Sequence, residues 1–213
     1  MAKKSLKKGM LITFEGPEGS GKSTHVRLVC NYLRQKGIKV LHLREPGGAL
    51  ISEKIRRVLL DPKNKGMDDF CEMLLYQAAR AQVVRQKVLP ALKKGKVVIL
   101  DRFLDATICY QGYGAGLDLK LIKRIGQVVT CGLVPDLTIL LDISAERGLR
   151  KSSSRDRIER KSLQFHRRVR RGYLKLARQN PRRIKVVPLA RQIAKTQSAI
   201  RKIVDKKLKR YGI

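Results

Sequence analysis

The stretch Thr13–Thr24, TFEGPEGSGKST, joins two kinds of sequence. Ahead of it, MLITF is an apolar, β-branched run, which predicts a buried strand stopped by Gly16. Behind it, Val26, Val29, Cys30 and Leu33 recur at helix spacing and Gly37 supplies a stop, which predicts a helix. Between them, Gly16-Pro-Glu-Gly-Ser-Gly21-Lys22-Ser23 has the form GxxxxGK[ST], a P-loop in the strand–loop–helix setting that the motif requires. Gly16, Gly19, Ser20, Gly21 and Thr24 put backbone N–H groups around phosphate oxygens, and the helix N-terminus adds up to ~2 kcal/mol of favourable potential. Lys22 reaches the β- and γ-phosphates, and Ser23 can ligate Mg²⁺. The alternative, a chance glycine turn, does not account for the strand and helix around it. Glu18 then poses a question: a carboxylate stands at the centre of an anion cradle.

Working outward, apolar runs predict further strands at IKVLHLRE, KVVILDRF, PDLTILLDIS and RIKVVPLA. Helical patterns lie between them. LISEKIRRVLLD carries Ile51, Ile55, Val58 and Leu59 on one face. DDFCEMLLYQAARAQVVRQKVLPALKKG is one long pattern interrupted by Pro90. LIKRIGQVVTCG, a helix–polar break–helix from Ala145 to Gln179, and IAKTQSAIRKIVDKKLKRY complete the set. Strands alternating with helices predict an α/β fold in three layers, a mainly parallel five-stranded sheet flanked by helices. At 213 residues the chain suits one domain over 10–213, preceded by a loose basic tail over 1–9. Ligands of such sheets bind beyond the carboxyl ends of the strands.

KVVILDRF places Asp101 and Arg102 at one of those ends. Four apolar residues before an acid read as a Walker B strand, whose Asp holds the metal of a bound nucleotide, and Arg102 can then meet a phosphate in bidentate fashion. The other reading is a strand-end ion pair. Four dispersed cysteines form no CxxC pair and read as small, buried, reduced side chains of a cytoplasmic protein. No apolar run approaches the roughly 18 residues of a membrane span. The net charge is +32, and from Ser144 onward 24 Lys and Arg face 4 Asp and Glu. Such a field attracts nucleotides and nucleic acid alike.

The motifs, taken in order, resemble the thymidylate kinase family of nucleoside monophosphate kinases. They are FEGPEGSGKST, REPGG (Arg44–Gly48), LLYQAARAQ (Leu74–Gln82), DRF (Asp101–Phe103), YQGYGAG (Tyr110–Gly116), PDLTILLD (Pro135–Asp142) and DRIE (Asp156–Glu159). The resemblance runs from Met10 to about Val187. It implies the P-loop kinase fold with a short lid at about 150–160, a homodimer, and transfer of the γ-phosphoryl of ATP to dTMP with Mg²⁺. Tyr76 falls where the family stacks a ring on the thymine, and Arg80 where an arginine bonds the base. A ring and a donor fork at i, i+4 share a helix face and can read one planar base. Without the other motifs they would read as core packing and solvated surface. Arg102 matches the arginine on the acceptor phosphate, and Tyr110 and Gln111 match positions near the deoxyribose. For GYGAG a mobile glycine loop is an equally good reading.

The family takes a catalytic arginine either from the P-loop or from the lid. Pro17, Glu18 and Ser20 fill the variable loop positions here, so Arg155 and Arg157 are the lid candidates. The resemblance also implies that Glu18 faces the acceptor 3′-hydroxyl. The chain departs from the family pattern at Ala49, Ala106, Ala115 and Pro188, which bears on base selectivity and on the adenine end. A kinase for another or broader monophosphate is the near alternative. A nucleic-acid-binding protein on a kinase scaffold is the alternative from another class, motivated by the charge.

Overall fold

The computed structural model describes residues 9–151 and 156–211; the basic head up to residue 8 and Arg155 in the lid lie outside the described residues. Strands β1 (Met10–Glu15), β2 (Val40–Arg44), β3 (Val97–Asp101), β4 (Leu137–Asp142) and β5 (Ile184–Pro188) form one sheet. Its order is β2-β3-β1-β4-β5, and every pairing is parallel. Parallel strands need crossover connections, so helices cover both faces and β1, β3 and β4 are buried runs. The register aligns Phe14 with Asp101 and Arg44 with Asp101. The segments after β1, β2 and β3 therefore leave the sheet side by side.

On one face Ile12, Phe14, Ile99 and Ile139 pack against helices α1 (Lys22–Gln35) and α9 (Ile193–Lys209). The other face is covered in two parts. Leu11, Val98 and Leu100 meet Val84 and Val88. Further along, Leu140 and Ile184 meet Tyr110, Phe165, Val169 and Tyr173 of α8 (Leu163–Gln179) and its neighbours. Between these elements run α2 (Leu50–Leu60), α3 (Asp69–Val83), α4 (Leu89–Lys93), α5 (Leu104–Thr107), α6 (Leu119–Val129) and α7 (Ala145–Lys151).

Several sequence expectations change. The long pattern around Pro90 breaks before the proline: a π turn, Val84–Val88, separates α3 from α4, and Pro90 sits in the first turn of α4. Proline lacks an N–H and crowds the carbonyl four residues back, so the break falls where the i→i−4 ladder would fail. The YQGYGAG segment is not a free glycine loop. Ile108–Gly114 continues α5 as a π segment, with Gly112 under Leu119 and Gly114 under Phe165 and Val169. Glycine there permits close helix packing rather than mobility. Ile51 and Val58, which helix spacing puts on one face of α2, are 47 % exposed each. Cys30 and Cys109 are buried, but Cys71 and Cys131 are exposed; all four are free. Among the described residues no helix is long and apolar enough to cross a membrane.

Candidate active site at the carboxyl edge of the sheet

β1 ends in the P-loop, which turns through three left-handed glycines: Gly16 (φ 145°), Gly19 (φ 63°) and Gly21 (φ 72°), the last preceding α1. A side chain at Gly19 would collide with the backbone of Gly148 in α7, and one at Gly148 with the carbonyl of Glu18. The loop is thus seated on a second glycine 129 positions along the chain, a contact that the motif itself does not announce. Lys22 is buried and donates to Gly16 O (3.1 Å), Pro17 O (2.8 Å) and Ser20 Oγ (3.1 Å). Burial and the Arg102 charge lower its pKa to about 8, against the pull of Glu18 and Asp101. Ser23 Oγ donates to Asp101 Oδ2 at 2.7 Å, so the two candidate metal residues lie together.

Arg102 follows β3 in a left-handed conformation (φ 72°), unusual for a residue with a side chain. Its backbone N–H donates to Phe14 O (2.9 Å). Its guanidinium donates to Glu18 Oε1 (2.6 Å), Gly16 O (3.3 Å) and the Tyr173 hydroxyl (3.4 Å), and lies 4.8 Å from the Tyr110 ring centroid. Tyr110 donates its own hydroxyl to Glu18 Oε1 (2.8 Å). Burial alone would raise the Glu18 pKa, but Arg102, Lys22 and Tyr110 pull it down to about 2. The carboxylate in the cradle is therefore a fixed anion held by the arginine that follows β3.

Beneath it, Glu15 accepts from Phe103 N (2.7 Å) and from the Tyr173 hydroxyl (2.9 Å). One carboxylate thus ties down the backbone after Arg102 and, through Tyr173, its guanidinium. Burial and neighbouring Asp105 push the Glu15 pKa up to about 8.

Two cavities meet at this point. One, with about 990 Å³ of empty volume, is lined by Glu18 to Thr24 of the P-loop, Asp101 and Lys151. The other, about 570 Å³, is lined by Tyr76, Arg80, Ala106, Thr107, Tyr110 and Gln111. Both share Glu18, Glu45, Arg56, Arg102 and Asp156. In the second cavity Arg80 is 2 % exposed and donates to Glu45 (2.7 Å), Gln77 (2.7 Å), Thr107 (3.0 Å) and the Phe103 carbonyl (3.1 Å). Four of its five N–H groups are engaged, which fixes the fork and leaves one donor for a ligand. Gln111 donates to Glu72 at 2.7 Å.

The family model for thymidylate kinase matches residues 14–200. The chain belongs to the thymidylate kinase family. It is 47 % identical over 203 residues to a thymidylate kinase of Symbiobacterium thermophilum, covering 94 % of this chain and 95 % of that protein. It is 42 % identical to one of Thermoanaerobacter sp., covering 94 % and 100 %. The crystal structure of thymidylate kinase from Ehrlichia chaffeensis superposes with a TM-score of 0.78 at 35 % identity, covering 93 % of this chain and 99 % of that one. Nucleotide kinase activity follows, and the five-stranded parallel sheet is the fold of the family.

In this thymidylate kinase family member Glu18, Tyr76, Arg80, Arg102, Tyr110 and Gln111 line the second cavity, Gly19 to Thr24 and Asp101 line the first, Arg155 lies outside the described residues, and Arg157 lines neither. Arg157 is buried away from the P-loop: it pairs with Glu72 (2.6 Å), donates to Leu59 O (2.8 Å), and lines a separate cleft with Lys65, Met67 and Arg160. Glu72 also accepts from Gln111, so Arg157 here braces the Gln111 wall of the second cavity. The P-loop cavity receives Lys151, Asp156 and Glu159 from this region instead. The sequence reading passed over Glu45, Arg56 and Asp156. Glu45 and Asp156 lie in the quoted REPGG and DRIE motifs, whereas Arg56 sits on a helix read only for its apolar face. Of the departures, Ala106 lines the second cavity and the Thr107 hydroxyl beside it accepts from Arg80.

Proposed function

We propose that this kinase transfers the γ-phosphoryl of ATP to the 5′-phosphate of dTMP, giving dTDP. The observation that carries the reading is the junction of a P-loop cavity and an aromatic, arginine-bearing cavity at Glu18 and Arg102. ATP phosphates occupy Gly16, Gly19–Thr24 and Lys22, and the thymine lies beside Tyr76 and the free donor of Arg80. Arg102 and Arg56 hold the acceptor phosphate; Arg56 already donates to Pro46 O (2.9 Å) at the shared wall. An acceptor phosphate oxygen is itself a nucleophile, so catalysis is positioning and charge neutralisation. Ser23 and Asp101 are hard oxygen donors in contact with each other, and suit Mg²⁺, which is held mainly by phosphates, water and one or two protein oxygens. When bound it supplies charge neutralisation on the phosphates. Of the lid arginines, Arg157 would have to leave Glu72 to reach that group, and Arg155 lies outside the described residues.

Phosphorylation of dTMP, dUMP, dCMP and dGMP in parallel tests the assignment. dTMP should lead, with dUMP behind it by about 10- to 200-fold for one missing methyl; a preference for dCMP or dGMP overturns it. Among the described residues both side-chain bonds to Glu18 fall on Oε1, leaving Oε2 for a donor such as the 3′-hydroxyl. Glu18→Gln should weaken dTMP by about 10- to 100-fold, the size of a charge-assisted hydrogen bond, with ATP nearly unchanged. Titration of each nucleotide into the variant decides it, and an effect confined to ATP removes Glu18 from the acceptor side.

The homodimer has a surface to use. Ile51 and Val58 on α2, Phe70 and Leu74 on α3, and Leu121 and Val128 on α6 are exposed, and these helices pack side by side. An apolar area crossing three helices is an expected interface. Leu74→Asp with Val128→Asp should give a monomer by sedimentation; an unchanged dimer would place the interface elsewhere. A cytoplasmic location suits the four free thiols.

A further inference from the structure

From Leu163 to Ile213 the sequence carries seventeen Lys and Arg against a single acid, Asp205. That is half of the whole chain's excess charge in its last 51 residues. The fold gathers this segment at one end. β5 is one edge strand of the sheet, and α8 and α9 flank it from opposite faces. Twelve of the seventeen cations are exposed.

They are ordered as well as numerous. α8 buries Phe165, Val169, Tyr173 and Leu176 and exposes Arg167, Arg171, Lys175 and Arg178, spaced four, four and three residues apart along the opposite face. α9 buries Ile200, Val204 and Leu208 and exposes Lys195, Lys202, Lys206 and Lys209. Cations on the α8 row recur about every 6 Å of helix axis, so a row of four spans roughly 16 Å. Arg167 is paired with Glu146, but among the described residues Arg171, Arg178 and Lys202 have no acidic partner. Uncompensated rows of like charge cost the fold self-repulsion. None of these residues lines either nucleotide cavity.

We infer that this basic end, α8–β5–α9, binds the phosphodiester backbone of double-stranded nucleic acid without reading its sequence. The rows carry no aromatic side chain, which excludes base stacking on single strands as the mode. Among the described residues the exposed large apolar side chains of these elements are Leu163, Val186 and Ile193, one on each element, so no apolar helix face of the kind an interfacial membrane helix inserts runs beside the rows. Four arginines on the α8 row and its flank suit phosphate oxygens, and a duplex offers one charge per roughly 3.4 Å of each strand.

The test is a salt titration of binding to a labelled 20-bp duplex, as DNA and as RNA, with no nucleotide substrate present. Its failure is therefore separable from failure of the kinase assignment. Wild type should lose about 10³-fold or more in affinity between 50 and 200 mM salt. Arg171→Gln with Lys175→Gln and Arg178→Gln should flatten the log–log slope by about 2 to 3, near 0.9 per lost phosphate contact, while dTMP kinase turnover reports that the variant is folded. Lys54→Gln with Lys63→Gln and Lys65→Gln removes the same charge elsewhere and should leave the slope as it is. An equal loss in both triples overturns the inference, since net charge would then suffice. So would absence of duplex binding at 50 mM salt, or binding to anionic phospholipid vesicles as tight as to duplex. A preference between the two duplexes only identifies which backbone the supported surface takes.

Discussion

Arg102→Lys is expected to lower kcat by about 10³-fold, with ATP affinity within a few-fold of wild type. An arginine on a transferring phosphoryl group is worth roughly 10³–10⁵ in rate, and lysine keeps the charge but loses the planar fork. Arg102 touches Glu18, the Gly16 carbonyl and Tyr173 at once and faces the Tyr110 ring. A single ammonium cannot reproduce that set. Its left-handed backbone is held by Phe14 O on one side and by Glu15 on the N–H of Phe103 on the other, so the fork is aimed before substrate arrives. Steady-state kinetics with dTMP and ATP measure the loss; a kcat within tenfold of wild type would remove Arg102 from the transferring group. The variant should also change how acid acts on the protein. Glu18 has a folded pKa of about 2 against an ordinary 4.5, so its contribution is present above about pH 4.5 and is lost as pH falls towards 2. A weaker partner at 102 moves that loss to higher pH, visible as earlier acid unfolding than wild type.

The same residues indicate what the chain makes legible and what it hides. The P-loop reads directly, because strand, glycine turn and helix are consecutive and each leaves its own periodicity. Asp101 and Arg102 read almost as well, since an apolar run ending in a charged pair marks the end of a parallel strand. What joins them does not read. The Phe14–Asp101–Arg44 register depends on the β2-β3-β1 strand order, which no local pattern encodes. Glu15 looked like the last residue of a strand, yet it is the strut under Arg102 through a tyrosine 158 positions away. Arg56 and the Glu72–Arg157 pair are hidden for the same reason: Arg56 and Glu72 are charged residues on helices and Arg157 lies in a turn, each ordinary until its neighbours are known. At GYGAG, where a mobile loop and a direct contact read equally well, the demand for close contact of Gly114 with Phe165 and Val169 outweighs the low helix propensity of glycine.

Lys22→Ala should reduce kcat by about 10³-fold or more and abolish a proton uptake that accompanies ATP binding. The rate loss follows from position. Lys22 is the ammonium inside the loop, and each preorganised donor on a developing charge is worth about 10²–10³ before the disturbed loop carbonyls of Gly16 and Pro17 are considered. The proton effect follows from its environment. Burial and Arg102 both disfavour the ammonium and set its pKa at about 8, so near pH 8 about half of the free protein carries it neutral. Phosphate anions oppose both causes and draw the proton in. Titration calorimetry at pH 8 in buffers of differing ionisation enthalpy should therefore register uptake of roughly half a proton per ATP, fading towards pH 6.5, where Lys22 is already charged. The sign is fixed by the direction of the shift: a lysine depressed in the free protein can only gain a proton when an anion arrives. If the variant takes up as many protons as wild type, another group titrates and Lys22 is not the residue meeting the phosphates. If uptake vanishes but kcat holds within tenfold, Lys22 binds ATP without assisting transfer, and the charge on the migrating group rests with Arg102 and the lid.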